Sequence, residues 1–479
     1  MKRLDWDDLS DGRADSLDGK EIEIAGWMVP PEGERASDYF LLSAEPPGCC
    51  LPTDPMAVVE VLAVSSMSIE AGKVALVGTW HLLREDPTSW RFQLRAARLS
   101  NPVTRRRVLG GSVIAGLFGH VCATPAMGDT GAGASTWPES PAGHTPAPSV
   151  SDAARAIVAT TVTVDIHSHA GSIIGVRRVE TAAPFTPVAA PMKAGGMRVV
   201  CLAIVADSPT HRVMADRRIH PFREPEPGEL YAYGNKGFSR LHELARSDGL
   251  NLVSDRAAMS AARPEAPSII VTAEGADFLD GSADRVDEFH EKWGLRHLQL
   301  THYRVNELGD IQTEPPVHGG LTEAGVAVIK RCNARGIVVD VAHATFDLVK
   351  RAAEVTTKPL ILSHTSFNPA PKSRSRLINA EHAKLIAGTG GVIGIWPPAG
   401  IFPDLASLAH GMADMAEIVG ADHVGLGTDT MGLVGPSVFD NYSRLPELAQ
   451  ALLDVGFNAE EAGKVLGGNY QRAFEATLT

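Results

Sequence analysis

Cysteine is scarce in this chain. Cys49, Cys50, Cys122, Cys201 and Cys332 are the only five in 479 residues, and no CxxC spacing occurs. An odd number without paired spacing excludes a disulfide framework. Cys201 falls inside an apolar strand-like run and Cys332 on a helical segment, so both read as buried, inert thiols. The adjacent Cys49 and Cys50 leave three readings open: a metal pair, a strained disulfide or free loop thiols. Positive charge is also short, with 44 Lys and Arg against 57 Asp and Glu and a net charge of −13. Phosphate binding needs a basic surface, so a nucleic-acid partner is not expected. No internal repeat is evident. Hydrophobic content of 44% and charged content of 21% are those of a soluble globular protein.

Eight apolar strand-like runs lie between residues 160 and 430. They are TVTVDIHSH (161–169), MRVVCLAIV (197–205), SIIVTAEG (268–275), HLQLTHY (297–303), IVVDVAH (337–343), PLILSHT (359–365), GVIGIWP (391–397) and HVGLGTD (423–429). Six of them end in a residue that binds metals or moves protons: His167 and His169, Glu274, His302, His343, His364 and Asp429. The second and seventh runs lack such an ending. Helix-like segments alternate with the runs, one after Thr322 with Gly336 as its C-cap, one after Thr345, and one opened by Asn458 and Glu461. Buried strands alternating with amphipathic helices make parallel βαβ units, and eight of them predict an α/β fold, a (β/α)8 TIM-type barrel. Such barrels carry their chemistry at the C-terminal ends of the strands.

Composition divides the chain into three regions. Residues 1–100 hold β-rich runs separated by Pro, Gly and Asp, which predicts a small β domain, an OB-like barrel of unassigned role. Residues 101–150 begin with Thr104-Arg-Arg-Arg-Val-Leu109, continue through an uncharged stretch to Met127 and end in a Pro/Gly/Ser/Ala linker. The pattern looks like a twin-arginine export signal. Glycines and His120 make it marginal as a membrane span. Its position after a hundred residues leaves three placements: a membrane anchor behind a cytoplasmic module, a signal with a long N-terminal extension, or an internal linker. An exported or membrane-tethered C-terminal domain is the expectation, with membrane association through 105–127; otherwise the protein is cytoplasmic. Residues 151–479 carry the strand series and form the third region.

In a strand, residues i and i+2 share a face, so His167 and His169 both point toward the barrel axis. Two imidazoles there can chelate one metal. His343 and His364, on neighbouring strands, form the two-histidine half of a second site. Glu274 supplies one carboxylate between the pairs, able to bridge two cations and costly to bury uncompensated. Asp429 closes the ring beside the first strand, as a ligand or a general base. Nitrogen-rich ligation with some carboxylate suits zinc, with manganese, iron and cobalt as other divalent choices. Two such metals make hydroxide available at neutral pH and polarise a carbonyl.

The strings Asp165-Ile-His-Ser-His, Ala273-Glu-Gly, Leu300-Thr-His-Tyr, Gly319-Gly-Leu-Thr-Glu-Ala-Gly, Val339-Asp-Val-Ala-His, Leu362-Ser-His-Thr-Ser, His423-Val-Gly-Leu-Gly-Thr-Asp and Leu466-Gly-Gly-Asn-Tyr occur in this order. From Val162 to Phe474 the chain resembles the membrane (renal) dipeptidase family of the amidohydrolase superfamily. The resemblance implies a zinc-dependent dipeptidase with two metals per chain. His167 and His169 would bind one, His343 and His364 the other, and Glu274 would bridge. His302 would contact the substrate carbonyl and stabilise the oxyanion. Asp429 would handle the proton of the bridging water and of the leaving amine. Arg376, with Arg374 as the near alternative, would hold the dipeptide's C-terminal carboxylate. The implied partner is a small-molecule dipeptide, and a homo-oligomer is compatible with it.

Two departures stand out. The family usually has HxD where this chain has His167-Ser-His169, which leaves the first metal less neutralised. The family's EGGH is here Glu274-Gly-Ala-Asp277, which bears on substrate preference. The alternative function is another amidohydrolase acting on a small amide, lactone or ester. Many of those use a carboxylated lysine on the fourth strand, and HLQLTHY has none. A non-catalytic binding protein should have lost ligands, yet every expected position holds a competent residue.

Overall fold

The computed structural model describes residues 2–10, 13–29, 36–44, 58–68, 72–82, 92–100, 150–171, 173, 185–214, 218–372, 375–433 and 436–478. The chain divides into two compact units, a smaller one built on the N-terminal strands and a larger one holding residues 137–479.

The N-terminal strands are β1 (Lys2–Leu4), β2 (Glu21–Val29), β3 (Ala36–Ser43), β4 (Val58–Ser68), β5 (Lys73–Leu82) and β6 (Phe92–Leu99). Their sheet order is β1-β2-β3-β4-β6-β5, and β5 returns to pair antiparallel with β2. Those pairings close a ring of five strands, the strand number of an OB-like barrel. Ile22, Ile24 and Met28 of β2 alternate with less buried residues, the pattern of a strand with one face on a core. Trp80 is fully buried there and donates its indole N–H to Ala14 O at 3.1 Å. Cys49, Cys50, Cys122 and the twin-arginine-like segment 105–127 lie outside the described residues.

The larger unit contains β7 (Val164–Ser168), β8 (Val199–Val205), a hairpin of β9 (His211–Val213) and β10 (Ile219–Pro221), β11 (Asn251–Leu252), β12 (Ser268–Glu274), β13 (His297–Gln299), β14 (Val338–Asp340), β15 (Leu360–Thr365), β16 (Val392–Ile395) and β17 (Val424–Leu426). Strands β7, β8 and β12 to β17 pair in parallel and in chain order, and β17 returns to β7. The result is the closed eight-stranded barrel with helices between its strands; β11 adds a two-residue edge pairing to β12. Every residue of β7, β8, β12 and β15 is buried, as expected of strands covered on both faces.

Helix boundaries follow the sequence signals. Thr322 caps Glu323–Arg335 by accepting from Gly325 N, and Gly336 ends that helix at φ 66°. Thr345 caps Phe346–Val355, and Asn458 with Glu461 forms a capping box. Cys201 and Cys332 are free and buried, and burial pushes both thiols up, away from reactivity. Close approach fixes Gly427: a Cβ there would stand 1.8 Å from Ser363 O. Among the described residues no helix is long and apolar enough to cross a membrane.

Candidate metal centre

The metal-competent side chains come together where the strands end. His167 lies in β7 and His169 one residue beyond it, Glu274 ends β12, and His364 is next to last in β15. His302, His343 and Asp429 follow β13, β14 and β17 by three residues each. A register shift in β7 between Asp165 and Ser168 accompanies the paired histidines. The two Nε2 atoms of His167 and His169 are 3.2 Å apart, and those of His343 and His364 are 3.1 Å apart.

Glu274 is the common neighbour. Its Oε1 lies 3.2 Å from His343 Nε2, 3.3 Å from His364 Nε2 and 3.5 Å from His167 Nε2. Its Oε2 lies 3.1 Å from His169 Nε2 and 3.3 Å from His302 Nε2. Asp429 Oδ1 is 3.4 Å from His169 Nε2 and 3.9 Å from His167 Nε2. Ligands on a tetrahedral zinc with bonds of about 2.0–2.1 Å are spaced about 3.3 Å apart. The observed separations match the edges of such a polyhedron.

The outer ring nitrogen of His169 sets its tautomer. His169 Nδ1 is 2.8 Å from Ala203 O, a pure acceptor, so Nδ1 carries hydrogen and Nε2 faces the cluster. His364 Nδ1 pairs with Ser363 Oγ at 2.9 Å. His167 Nδ1 and His343 Nδ1 are buried without hydrogen-bond partners among the described residues. Burial holds the imidazoles of His167 and His343 well below their usual range, which keeps them in the neutral form that ligates metals. Burial works the same way on His169, but the carboxylates of Asp429 and Glu274 outweigh it and lift that group to about 10. Burial alone would raise Glu274, yet the surrounding imidazoles, His302 and His167 first, hold it well below the usual carboxylate range.

Two of these residues adopt the left-handed backbone region, His343 at φ 66° and Asp429 at φ 50°. Non-glycine residues pay conformational strain there, and such strain collects at functional sites. The peptide groups around them are tied down: Gln312 N donates to His343 O at 2.7 Å, and Asp429 N donates to His167 O at 2.9 Å. Gly432 lets its loop fold over the cluster, since a Cβ would come within 2.0 Å of Asp429 Oδ1.

Arg376 is buried beside the histidines. It donates to Gln312 Oε1 at 3.0 Å and His364 O at 3.4 Å, and its guanidinium lies 5.5 Å from the Trp396 ring centre. Trp396, from the seventh run, thus contributes an apolar wall where no ligand was expected. Arg376 has no carboxylate within 4 Å among the described residues. Arg374 lies outside the described residues.

The second barrel strand carries a residue that sequence patterning missed. Asp207, two residues beyond β8, is fully buried and accepts from His302 Nδ1 at 2.7 Å. Burial would raise its carboxyl, but His302 and His211 outweigh that and hold it well below the usual range. Reading the second run two residues further, as Ala203-Ile-Val-Ala-Asp207, gives the same apolar-run-then-acid signal as the other strands. Asp277, at the departure from the family pattern, is buried near Asp207 and accepts from Arg304 at 3.2 Å and Asn306 at 3.3 Å.

Residues 152–479 match the family described as membrane dipeptidase, peptidase family M19. The chain belongs to that family. Within the membrane dipeptidase family its relatives include dipeptidase aclJ of Aspergillus oryzae, 32% identical over 219 residues, 43% of this chain and 50% of the relative. Dipeptidase 3 of Mus musculus is 26% identical over 250 residues, 50% of this chain and 48% of the relative. The chain thus spans about half the length of the curated relatives it matches. Among solved structures, a metallopeptidase from Rhodobacter sphaeroides bound to a phosphinate mimic of L-Ala-D-Ala superposes with a TM-score of 0.57 at 20% identity, covering 66% of this chain and 99% of that one. The probable dipeptidase PvdM from Pseudomonas aeruginosa gives 0.56 at 16% identity, covering 68% and 97%. The solved structures share its barrel fold.

Proposed function

We propose that the site is a binuclear zinc centre that hydrolyses the peptide bond of dipeptides. The observation that carries this reading is the convergence of five imidazole Nε2 atoms on the two oxygens of one buried carboxylate, Glu274. His167 and His169 would hold one ion, His343 and His364 the other, with Glu274 shared. Four imidazoles and a carboxylate are a donor set that suits zinc. Bound there, the metals supply hydroxide at neutral pH and polarise the substrate carbonyl.

The chain's own groups do the rest. Asp429 keeps 14% of its side chain exposed while standing beside His169, so it can take a proton from the attacking water and give it to the leaving amine. His302 presents Nε2 on the other side of Glu274 and would meet the carbonyl oxygen as charge develops on it. Arg376 would hold the C-terminal carboxylate. A buried guanidinium with no carboxylate within 4 Å among the described residues gains from an anion that pairs with it, and a dipeptide brings one.

The test is amino-acid release from a dipeptide panel by the full chain loaded with zinc, with and without chelator, alongside metal content by mass spectrometry. Chelator-sensitive cleavage at two zinc ions per chain is expected. Protein holding two ions that cleaves no dipeptide would overturn the dipeptide assignment and point to another small amide, lactone or ester. The twin-arginine-like segment supports export or membrane tethering of the C-terminal domain. A reporter fused after residue 150 that stays cytoplasmic would refute it.

A further inference from the structure

The Asp207 carboxylate makes two hydrogen bonds, to two adjacent residues. Its Oδ1 accepts from His302 Nδ1 at 2.7 Å, and its Oδ2 accepts from the Tyr303 amide at 3.0 Å. One carboxylate beyond β8 thus grips both the ring of His302 and the main chain just after it. An ionised carboxylate only accepts, so Nδ1 carries the hydrogen and Nε2 is turned inward, 3.3 Å from Glu274 Oε2. The ring is enclosed by others: Tyr303 at 4.5 Å, His343 at 4.6 Å and His211 at 5.1 Å between centres. His211 Nδ1 also stands 3.2 Å from the same Asp207 oxygen.

We propose that Asp207 is a positioning residue for His302: it fixes the ring's tautomer and orientation so that Nε2 is aimed at the carbonyl oxygen of the scissile amide. The inference rests on the hydrolytic reading above, in which His302 meets that oxygen. A buried carboxylate on the far nitrogen of a working histidine fixes which nitrogen faces the reaction and supports the charge the ring gains. In this reading Asp207 acts on the ring of His302 and not on the substrate. Its effect on turnover therefore passes through His302.

A double-mutant cycle in the full-length, metal-loaded protein tests this. Asp207→Asn keeps the shape of the side chain and removes its charge. It is expected to lower kcat about 10- to 100-fold, with KM within about twofold and metal content unchanged. In a His302→Ala background the same change is expected to cost less than about twofold, because the group it positions is gone. Equal losses in both backgrounds, or wild-type kcat in Asp207→Asn, would overturn the proposal.

A second measurement does not depend on turnover. In ¹⁵N-histidine spectra, the resonance identified by its loss in His302→Ala is expected to show a slowly exchanging Nδ1–H that disappears in Asp207→Ala. An unchanged resonance in Asp207→Ala would also overturn the proposal. Wild-type protein that cleaves no dipeptide would defeat the dipeptidase reading instead, and the spectra would still decide whether Asp207 holds His302.

Discussion

Asp165 and Thr428 are joined twice: the Thr428 amide donates to Asp165 Oδ1 at 2.9 Å and the Thr428 hydroxyl to Asp165 Oδ2 at 2.6 Å. Asp165 lies on the first barrel strand and Thr428 just beyond the eighth, so one buried side chain seals the barrel where the sheet meets itself. Tyr442 adds a third donor to Asp165 Oδ2 at 2.7 Å. The seal lies one residue from Asp429 and two from His167, and so sets how those two approach each other.

Thr428→Val removes one donor to a buried carboxylate while keeping the shape. The expected cost is about 1.5–3 kcal/mol in chemical denaturation of the larger unit, as for a hydrogen bond to a charged group. Metal affinity should weaken with it, since Asp429 and His167 lose their shared brace.

Asp277 predicts a pH dependence. Burial first, then the Asp207 charge, push its carboxyl up to about 7, against an ordinary value near 4. The folded state therefore binds this proton more tightly than the unfolded chain. Below the unfolded pKa both states are protonated and the group costs nothing; between there and about pH 7 it increasingly destabilises the fold. Asp277→Asn has no such penalty. Its stability relative to wild type should rise with pH to a plateau above pH 7, by on the order of 3 kcal/mol, in urea titrations at pH 5 and pH 8. A difference that does not change with pH would refute the assignment.

Arg376→Met should raise KM for dipeptides about 100-fold with a smaller change in kcat, because a carboxylate anchor contributes to binding. Dipeptides with an amidated C-terminus should be hydrolysed equally poorly by both proteins. Equal KM values in wild type and variant would remove Arg376 from the substrate site.

Asp429→Asn should keep both metals and lose turnover by about 10²- to 10⁴-fold, the range for a proton-transfer group. Retained activity would end its role as proton carrier.

His343→Ala should lose one metal equivalent, because its Nε2 faces both His364 Nε2 and Glu274. Unchanged metal content in the purified variant would take His343 out of the centre.

Much of this was legible in the sequence. The apolar runs gave the barrel, because a strand buried on both faces needs an unbroken apolar stretch. The helix caps at Thr322, Thr345 and Asn458 were local and so readable. The candidate site residues stood out because a His, Glu or Asp ending an apolar strand is costly unless something partners it. Asp207 escaped because it lies two residues beyond the end of β8, past the apolar run. Nothing local linked Asp207 to His302, 95 residues later, or Gln312 to Arg376, 64 residues later.

By itself the sequence determined the number and order of the barrel strands and which residues stand near their ends, since these follow from periodicity along a short stretch of chain. Only the tertiary structure decided which ends meet. Barrel closure brings His169 and Asp429, 260 residues apart, within 3.4 Å, and turns five imidazoles toward Glu274. It also holds His343 and Asp429 at positive φ. Those distances, and the strain that accompanies them, arise from pairing between remote strands, which no local pattern encodes.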